Sequence, residues 1–288
     1  MVVLVIAGIF LFENRTNGRL ISSGELRRYL LYVPESYDPA KPTPLVITIH
    51  GFAQWPAHQA YITRWNDLAD DYGFIVVYPS GTGFPKRWRA GQNGGETDPK
   101  IEIQFFKDLI DKLESEYTID STRIYANGLS NGGGMSYVLG CLLSDRIAAI
   151  GGVSGAYSFP LEDCAPGRAV PMIAFHGTID PIVPYEGGDS GDGRFNLPNI
   201  PAWMRERALL NGCDPDPIEL PAQGDASVFQ YTNCDEDAEV IFYSVAGSGH
   251  GWPGGVPIPE WIVGPTSQNV DATRLIWEFF QRHPMKNP

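Results

Sequence analysis

The amino-acid sequence predicts an α/β fold: a mostly parallel central sheet with helices on both faces. Three observations carry this. Apolar runs without alternation, at 44–50 and 74–78, read as strands buried on both faces, and they alternate with stretches of helical periodicity along the whole chain. The third observation is size: 288 residues, 43% hydrophobic and 19% charged, suit one core around one wound sheet.

Taken in order, residues 27–34 read as a strand, and 44–50 as a central strand ending in His50-Gly51. A helix over 59–72 and a strand over 74–78 complete one β-α-β unit, closed by the turn chemistry of Pro79-Ser80-Gly81. Residues 82–100 are rich in Gly and Pro and are expected to form a long loop carrying Trp88. An amphipathic helix over 101–117 precedes a short strand at 122–126. After Gly128-Leu129-Ser130-Asn131-Gly132 come a helix at 132–143 and strands at 148–153 and 170–176. Residues 201–211 read as helix, 228–231 and 240–245 as strands, and 270–282 as a closing amphipathic helix. The first 20 residues divide off as an apolar N-terminal segment and linker, and 21–288 as one domain. Residues 2–12 are too few to span a bilayer and read as the remnant of an export signal or, alternatively, as a short apolar N-terminal strand, so no stable membrane insertion is expected.

A formal net charge of −13 repels phosphate backbones and excludes nucleic acid as a partner. Four cysteines occur without a CxxC, so neither a zinc knuckle nor a thioredoxin-like pair is available. Of the three possible disulfide connectivities, Cys141 with Cys164 and Cys213 with Cys234 each close a short loop, implying an oxidising compartment.

The pentapeptide around Ser130 has the GxSxG form, in which a strand turns sharply into a helix and only small neighbours fit. At a helix N-terminus, unpaired N–H groups favour developing negative charge. A serine hydroxyl needs a base, and in the α/β-hydrolase fold the order along the chain is Ser, then acid, then His. His250, in the Gly-rich loop Gly247-Ser248-Gly249-His250-Gly251-Trp252-Pro253, meets that order; His283 lies at a helix end. Asp180 leaves the strand carrying His176 and is the expected acid, with Asp189 and Asp192 as rivals in a Gly-rich turn. Oxyanion donors are expected from the N–H groups of Asn131 and Phe52. His50 is expected to be structural, hydrogen-bonded beneath the site.

Together, His50-Gly51, Gly128-Leu129-Ser130-Asn131-Gly132-Gly133-Gly134, His176-Gly177-Thr178-Ile179-Asp180 and Gly249-His250-Gly251-Trp252-Pro253-Gly254 resemble the polyhydroxybutyrate depolymerase and feruloyl esterase family of secreted α/β-hydrolases. The resemblance implies hydrolysis of carboxylic esters through an acyl-enzyme, secretion, and neither metal nor organic cofactor. Where family members often carry Cys or Gly after the first His-Gly, this chain has Phe52-Ala53-Gln54-Trp55.

The segment between the strands near Gly155 and Val170 is too short for a helical lid, so an open cleft is expected. Trp55, Trp88, Tyr185 and Trp252 are candidates for stacking a phenolic acyl group or a sugar. Feruloyl or acetyl esters of plant polysaccharides lead as substrate, polymeric or small. A polyhydroxyalkanoate depolymerase or a general short-chain esterase is the alternative. A peptidase would share the triad, and a binding module without turnover would share the fold.

Overall fold

The computed structural model describes residues 15–91, 98–190 and 196–286. Residues 1–14 of the N-terminal segment, and the rival acid Asp192, lie outside them.

Strands β1 (Gly18–Ser22), β2 (Glu25–Tyr32) and β3 (Thr43–Ile49) are followed by helices α1 (Pro56–Thr63) and α2 (Trp65–Tyr72) and by strand β4 (Ile75–Pro79). Then come α3 (Lys100–Glu116), β5 (Ile119–Leu129), α4 (Asn131–Leu142), β6 (Ala149–Val153) and β7 (Met172–Gly177). A two-residue ribbon, β8 (Gly188–Asp189) with β9 (Asn196–Leu197), leads to α5 (Ile200–Leu210). Strands β10 (Ile218–Gln223), β11 (Ala226–Tyr231) and β12 (Val240–Val245) precede α6 (Glu260–Val263) and α7 (Ala272–Arg282).

Among the described residues the main sheet has ten strands in the order β1-β2-β4-β3-β5-β6-β7-β12-β11-β10. Its six central strands, β4 through β12 in that order, run parallel. The outer pairs are antiparallel. Burial on both faces is why β3 shows no polar alternation: every residue of Thr43–Ile49 is buried. Leu45, Ile47 and Ile49 pack with Phe105 of α3, Met135 of α4 and Trp203 of α5. Val46, pointing the other way, packs with Trp65 of α2 and Phe280 of α7. The molecule is thus three-layered, with a mostly parallel sheet between two helical layers.

Three departures from the sequence reading have physical causes. The helix expected over 59–72 is two helices, because Arg64 is left-handed (φ 56°, ψ 29°) and its N–H closes α1 onto the Ala60 carbonyl. The break seats Trp65, wholly buried, 5.9 Å from the ring of Phe74 and 6.4 Å from that of Phe280. The linker expected through residue 20 ends sooner: β1 begins at Gly18 and pairs along its length with β2. Strand β10 carries Pro221, tolerated because β10 is an edge strand.

Residues 154–171 join β6 to β7 with only a three-residue 3-10 turn, Leu161–Asp163, so no lid is inserted there. This connection is fastened instead: Cys164 is disulfide-bonded to Cys141 in α4, and Cys213 is bonded to Cys234. Among the described residues, no helix is long and apolar enough to cross a membrane, and no group of His, Cys, Asp and Glu could hold a metal ion.

Candidate active site

The parallel strands end level with one another. The Ser130 N–H donates to the Val153 carbonyl, that of Ser154 to Phe175, and that of Thr178 to Val245. Residues just beyond β5, β6, β7 and β12 therefore line one edge, where the carboxyl ends of a wound sheet place loops free to carry chemistry.

Ser130 sits between β5 and α4 with φ 57° and ψ −121°, a region that costs a non-glycine residue of the order of 1–3 kcal/mol. The turn is possible because Gly132 and Gly134, two and four residues further on, have no side chains. A Cβ on Gly132 would lie 2.1 Å from the Ile49 carbonyl oxygen, and one on Gly134 2.2 Å from that of Ala156. The serine carbonyl accepts from the N–H groups of Gly134 and Ala156, which fixes the peptide on its far side. The side chain stays half-exposed.

Asp180, three residues past β7, and His250, five past β12, are each 5% exposed. His250 Nδ1 lies 2.8 Å from Asp180 Oδ2. An ionised carboxylate only accepts, so Nδ1 carries the hydrogen and Nε2 is the ring's acceptor. Asp180 Oδ1 accepts from the N–H groups of Ile182 and Val183, both at 2.9 Å. Burial raises the carboxyl pKa, but the charge and hydrogen bond of His250, then His176 and the Val183 N–H, outweigh it and hold the group below its usual range. The pair is thus a buried carboxylate aligning an imidazole in one tautomer.

His176 was not expected in this role. Its Nε2–H donates to the Val183 carbonyl at 2.8 Å, and the same nitrogen lies 3.4 Å from Asp180 Oδ2. Burial lowers its pKa, keeping the ring neutral beneath the carboxylate. The motif His-Gly-x-x-Asp carried that signal, since position i and position i+4 flank one turn.

The loop after β3 reaches the same edge. A Cβ on Gly51 would lie 3.3 Å from Ser130 Cβ, so Phe52 follows directly beside the serine; its own side chain is 41% exposed. His50 is wholly buried, donates from Nδ1 to the Gly51 carbonyl at 2.7 Å and accepts at Nε2 from the Gly81 N–H at 3.0 Å. Burial pushes its pKa down to about 3, so it is a neutral structural brace.

Trp88 completes this brace rather than facing a ligand. It is 3% exposed, and its indole N–H donates to the His50 carbonyl at 2.9 Å. The Asn131 side chain grips its backbone from both sides, accepting from the Trp88 N–H at 2.7 Å and donating to the Trp88 carbonyl at 3.3 Å. Sequence reading assigned Asn131 only a backbone role, because the spacing from 88 to 131 carries no local pattern.

Trp252 likewise belongs to the core. It is 1% exposed and its N–H donates to Thr273 Oγ1 at 2.9 Å, so it supports the His250 loop from behind. Trp55 and Tyr185 remain half-buried, and the Tyr185 hydroxyl is 2.8 Å from Ser244 Oγ. Of the rival acids, Asp189 is exposed in β8. His283 is 2.8 Å from Glu239 at the end of α7 and away from this edge.

Comparison with known proteins places this geometry in context. The chain is 25% identical over 270 residues to the bifunctional acetylxylan esterase/xylanase of Neocallimastix patriciarum, covering 90% of this chain and 33% of that protein. It is 30% identical over 237 residues to feruloyl esterase B of Piromyces equi, covering 78% of this chain and 42% of that one. The chain thus spans less than half the length of either relative. Among solved structures, acetyl xylan esterase from Aspergillus awamori superposes with a TM-score of 0.59 at 19% identity, covering 93% of this chain and 96% of that one, which shows the α/β-hydrolase fold. The model of the family described as esterase PHB depolymerase matches residues 27–185, more than half of the 288, and the chain belongs to that family.

Proposed function

We propose that this chain is a secreted serine hydrolase that cleaves acetyl or feruloyl esters of plant polysaccharides. The observation that carries the chemistry is the buried Asp180–His250 pair at 2.8 Å, on the sheet edge that also presents the strained Ser130. In this reading His250 Nε2 takes the Ser130 Oγ proton as Oγ bonds to the ester carbonyl carbon. Asp180 stabilises the imidazolium. The N–H groups of Asn131 and Phe52 hold the oxyanion, at the N-terminus of a 12-residue helix whose dipole favours it. His250 then returns the proton to the leaving alcohol oxygen, and the acyl group stays on Oγ. A water, deprotonated by the same nitrogen, attacks the acyl-enzyme and restores Ser130.

Support for the substrate class comes from the relatives named as acetylxylan and feruloyl esterases and from the short β6–β7 connection. Support for secretion comes from the two disulfides. The family description also names polyhydroxybutyrate depolymerase, which supports a polyester as the second reading.

The test compares hydrolysis of p-nitrophenyl acetate, methyl ferulate, acetylated xylan and polyhydroxybutyrate granules by the wild type and by Ser130→Ala. Expected is turnover of the first three and a loss of at least about a thousandfold in the variant. Clearing of granules without release of acetate or ferulate replaces the substrate with a polyester. Equal rates in both proteins refute the nucleophile.

A further inference from the structure

A patch of unmatched positive charge flanks the sheet edge that carries Ser130. Residues 82–87 form a hairpin closed by Thr82 and Arg87, whose N–H and carbonyl groups bond each other at 3.1 and 3.0 Å. Its backbone is tied to the site. The Lys86 carbonyl accepts from the Ala53 N–H at 2.8 Å, two residues beyond the Gly51 that abuts Ser130. At the hairpin tip the Phe84 ring is 86% exposed.

Lys86 is half-buried, and its ammonium donates to the Gly81 carbonyl at 3.4 Å. One residue earlier, the Ser80 N–H donates to the Arg28 carbonyl at 2.9 Å, so β2 runs alongside the hairpin stem. Burial, then the charges of Arg27 and Arg28, lower the lysine pKa. Arg28 in turn stands directly opposite Arg19 in the register of β1 with β2, and both are exposed on one face. Like charges so placed destabilise a sheet.

The nearby acids do not relieve this cluster. Glu102 meets Arg27 with one oxygen at 2.7 Å and Arg89 with the other at 3.0 Å, and Glu25 lies 3.7 Å from Arg89. Among the described residues, Arg19, Arg28 and Lys86 form no ion pair, although the chain carries 34 acidic residues to 21 basic ones. Three cations left to repel one another in so acidic a chain suit an anion from outside. A net charge of −13 repels a polyanion, but screening beyond about 10 Å lets one carboxylate on an otherwise neutral chain respond to the nearest charges. A uronic acid carries such a carboxylate on a sugar ring, and Phe84, two residues from Lys86, offers that ring an apolar face.

We infer that Arg28, Lys86 and Arg19 bind the carboxylate of a uronic acid unit in the glycan, selecting acidic polysaccharide esters for the cleaving edge. That the ligand is a glycan rests on the function proposed above; its negative charge rests on the cations alone.

The test is calorimetric titration of full-length Ser130→Ala protein with xylotriose bearing one glucuronic acid branch and with plain xylotriose. At about 20 mM NaCl the acidic sugar should bind at least about fivefold tighter, since one exposed ion pair contributes a factor of up to about five. Raising NaCl to about 300 mM should cut that preference to about twofold or less. Adding Arg28→Gln with Lys86→Gln should do the same at low salt. Arg19→Gln with Arg28→Gln, both at exposed positions, should at least halve it and gives a folded protein even if the loss of Lys86 disturbs the hairpin. Equal affinity for the two sugars, a preference untouched by salt, or one that survives both pairs of substitutions overturns the site. So does failure of the acidic sugar to bind up to about 50 mM, weaker than any working affinity. The titration needs no turnover, so preference for the acidic sugar without ester hydrolysis sinks only the enzymatic reading. Ester hydrolysis without that preference sinks only this inference.

Discussion

Replacing Asp180 by Asn tests the alignment of His250 with little change of shape. Oδ1 accepts two backbone N–H groups, from Ile182 and Val183, so in the variant the amide oxygen must occupy that position. The amide NH₂ is then forced to the Oδ2 position, 2.8 Å from His250 Nδ1. A donor there selects the tautomer with hydrogen on Nε2, which cannot accept the serine proton. Recovering the active tautomer sets two buried donors against each other, at about 1–3 kcal/mol each, and the charge-assisted bond to the imidazolium, about 1.5–3 kcal/mol, is lost as well. The total of about 4–9 kcal/mol brackets the roughly 10⁴-fold loss of kcat that this exchange causes in chymotrypsin-type enzymes. Steady-state hydrolysis of p-nitrophenyl acetate should therefore show kcat down about 10³- to 10⁵-fold with KM little changed. Circular dichroism should be native, because Oδ1 keeps both N–H partners. A folded variant retaining a tenth of wild-type kcat refutes the assignment.

Further outcomes concern stability. His50 is held neutral down to a pKa of about 3 when folded, against 6.5 when unfolded. Below pH 6.5 only the unfolded chain takes up the proton, so stability is lost as pH falls, by about 2 kcal/mol at pH 5. His176, also depressed, acts in the same direction. Urea unfolding at pH 7.5 and 5.0 checks this, and a flat stability between them contradicts it. Glu102, wholly buried, bonds Arg27 at 2.7 Å and Arg89 at 3.0 Å, so Glu102→Ala strands a buried guanidinium and should cost about 3–5 kcal/mol in the same assay. The disulfides span 23 and 21 residues, and removing either by paired Cys→Ala exchange should cost about 3 kcal/mol on loop-entropy grounds. Unchanged denaturation midpoints would show that the denatured chain gains no freedom.

Much of this architecture was legible because its signals are local. The apolar run of β3, the exact span of β12 and the glycines around Ser130 each report a nearby constraint. The Asp180–His250 contact was reachable across 70 residues only because chain order in this fold is known. What escaped was decided by distant packing. Nothing in the periodicity around Arg64 marks a left-handed residue, since the apolar positions on either side still face the sheet. Trp88 and Trp252 were candidates for stacking substrate because an aromatic residue in a Gly-rich loop looks the same whether it faces solvent or core. Their indole hydrogen bonds, to His50 and Thr273, decide the matter. Strand β1 has alternating partial exposure at the sheet margin, so it lacks the dense apolar run that marks the centre.

The packing of α4 has a bearing on redesign. With backbone carbonyls pressed against Gly132 and Gly134, these two positions accept no side chain, however small. A mutagenesis library aimed at altered acyl preference would therefore waste its diversity on these two glycines. It should be spent on exposed positions that approach the same edge, such as Phe52 and Glu186, and should spare the buried Val183, whose N–H bonds Asp180.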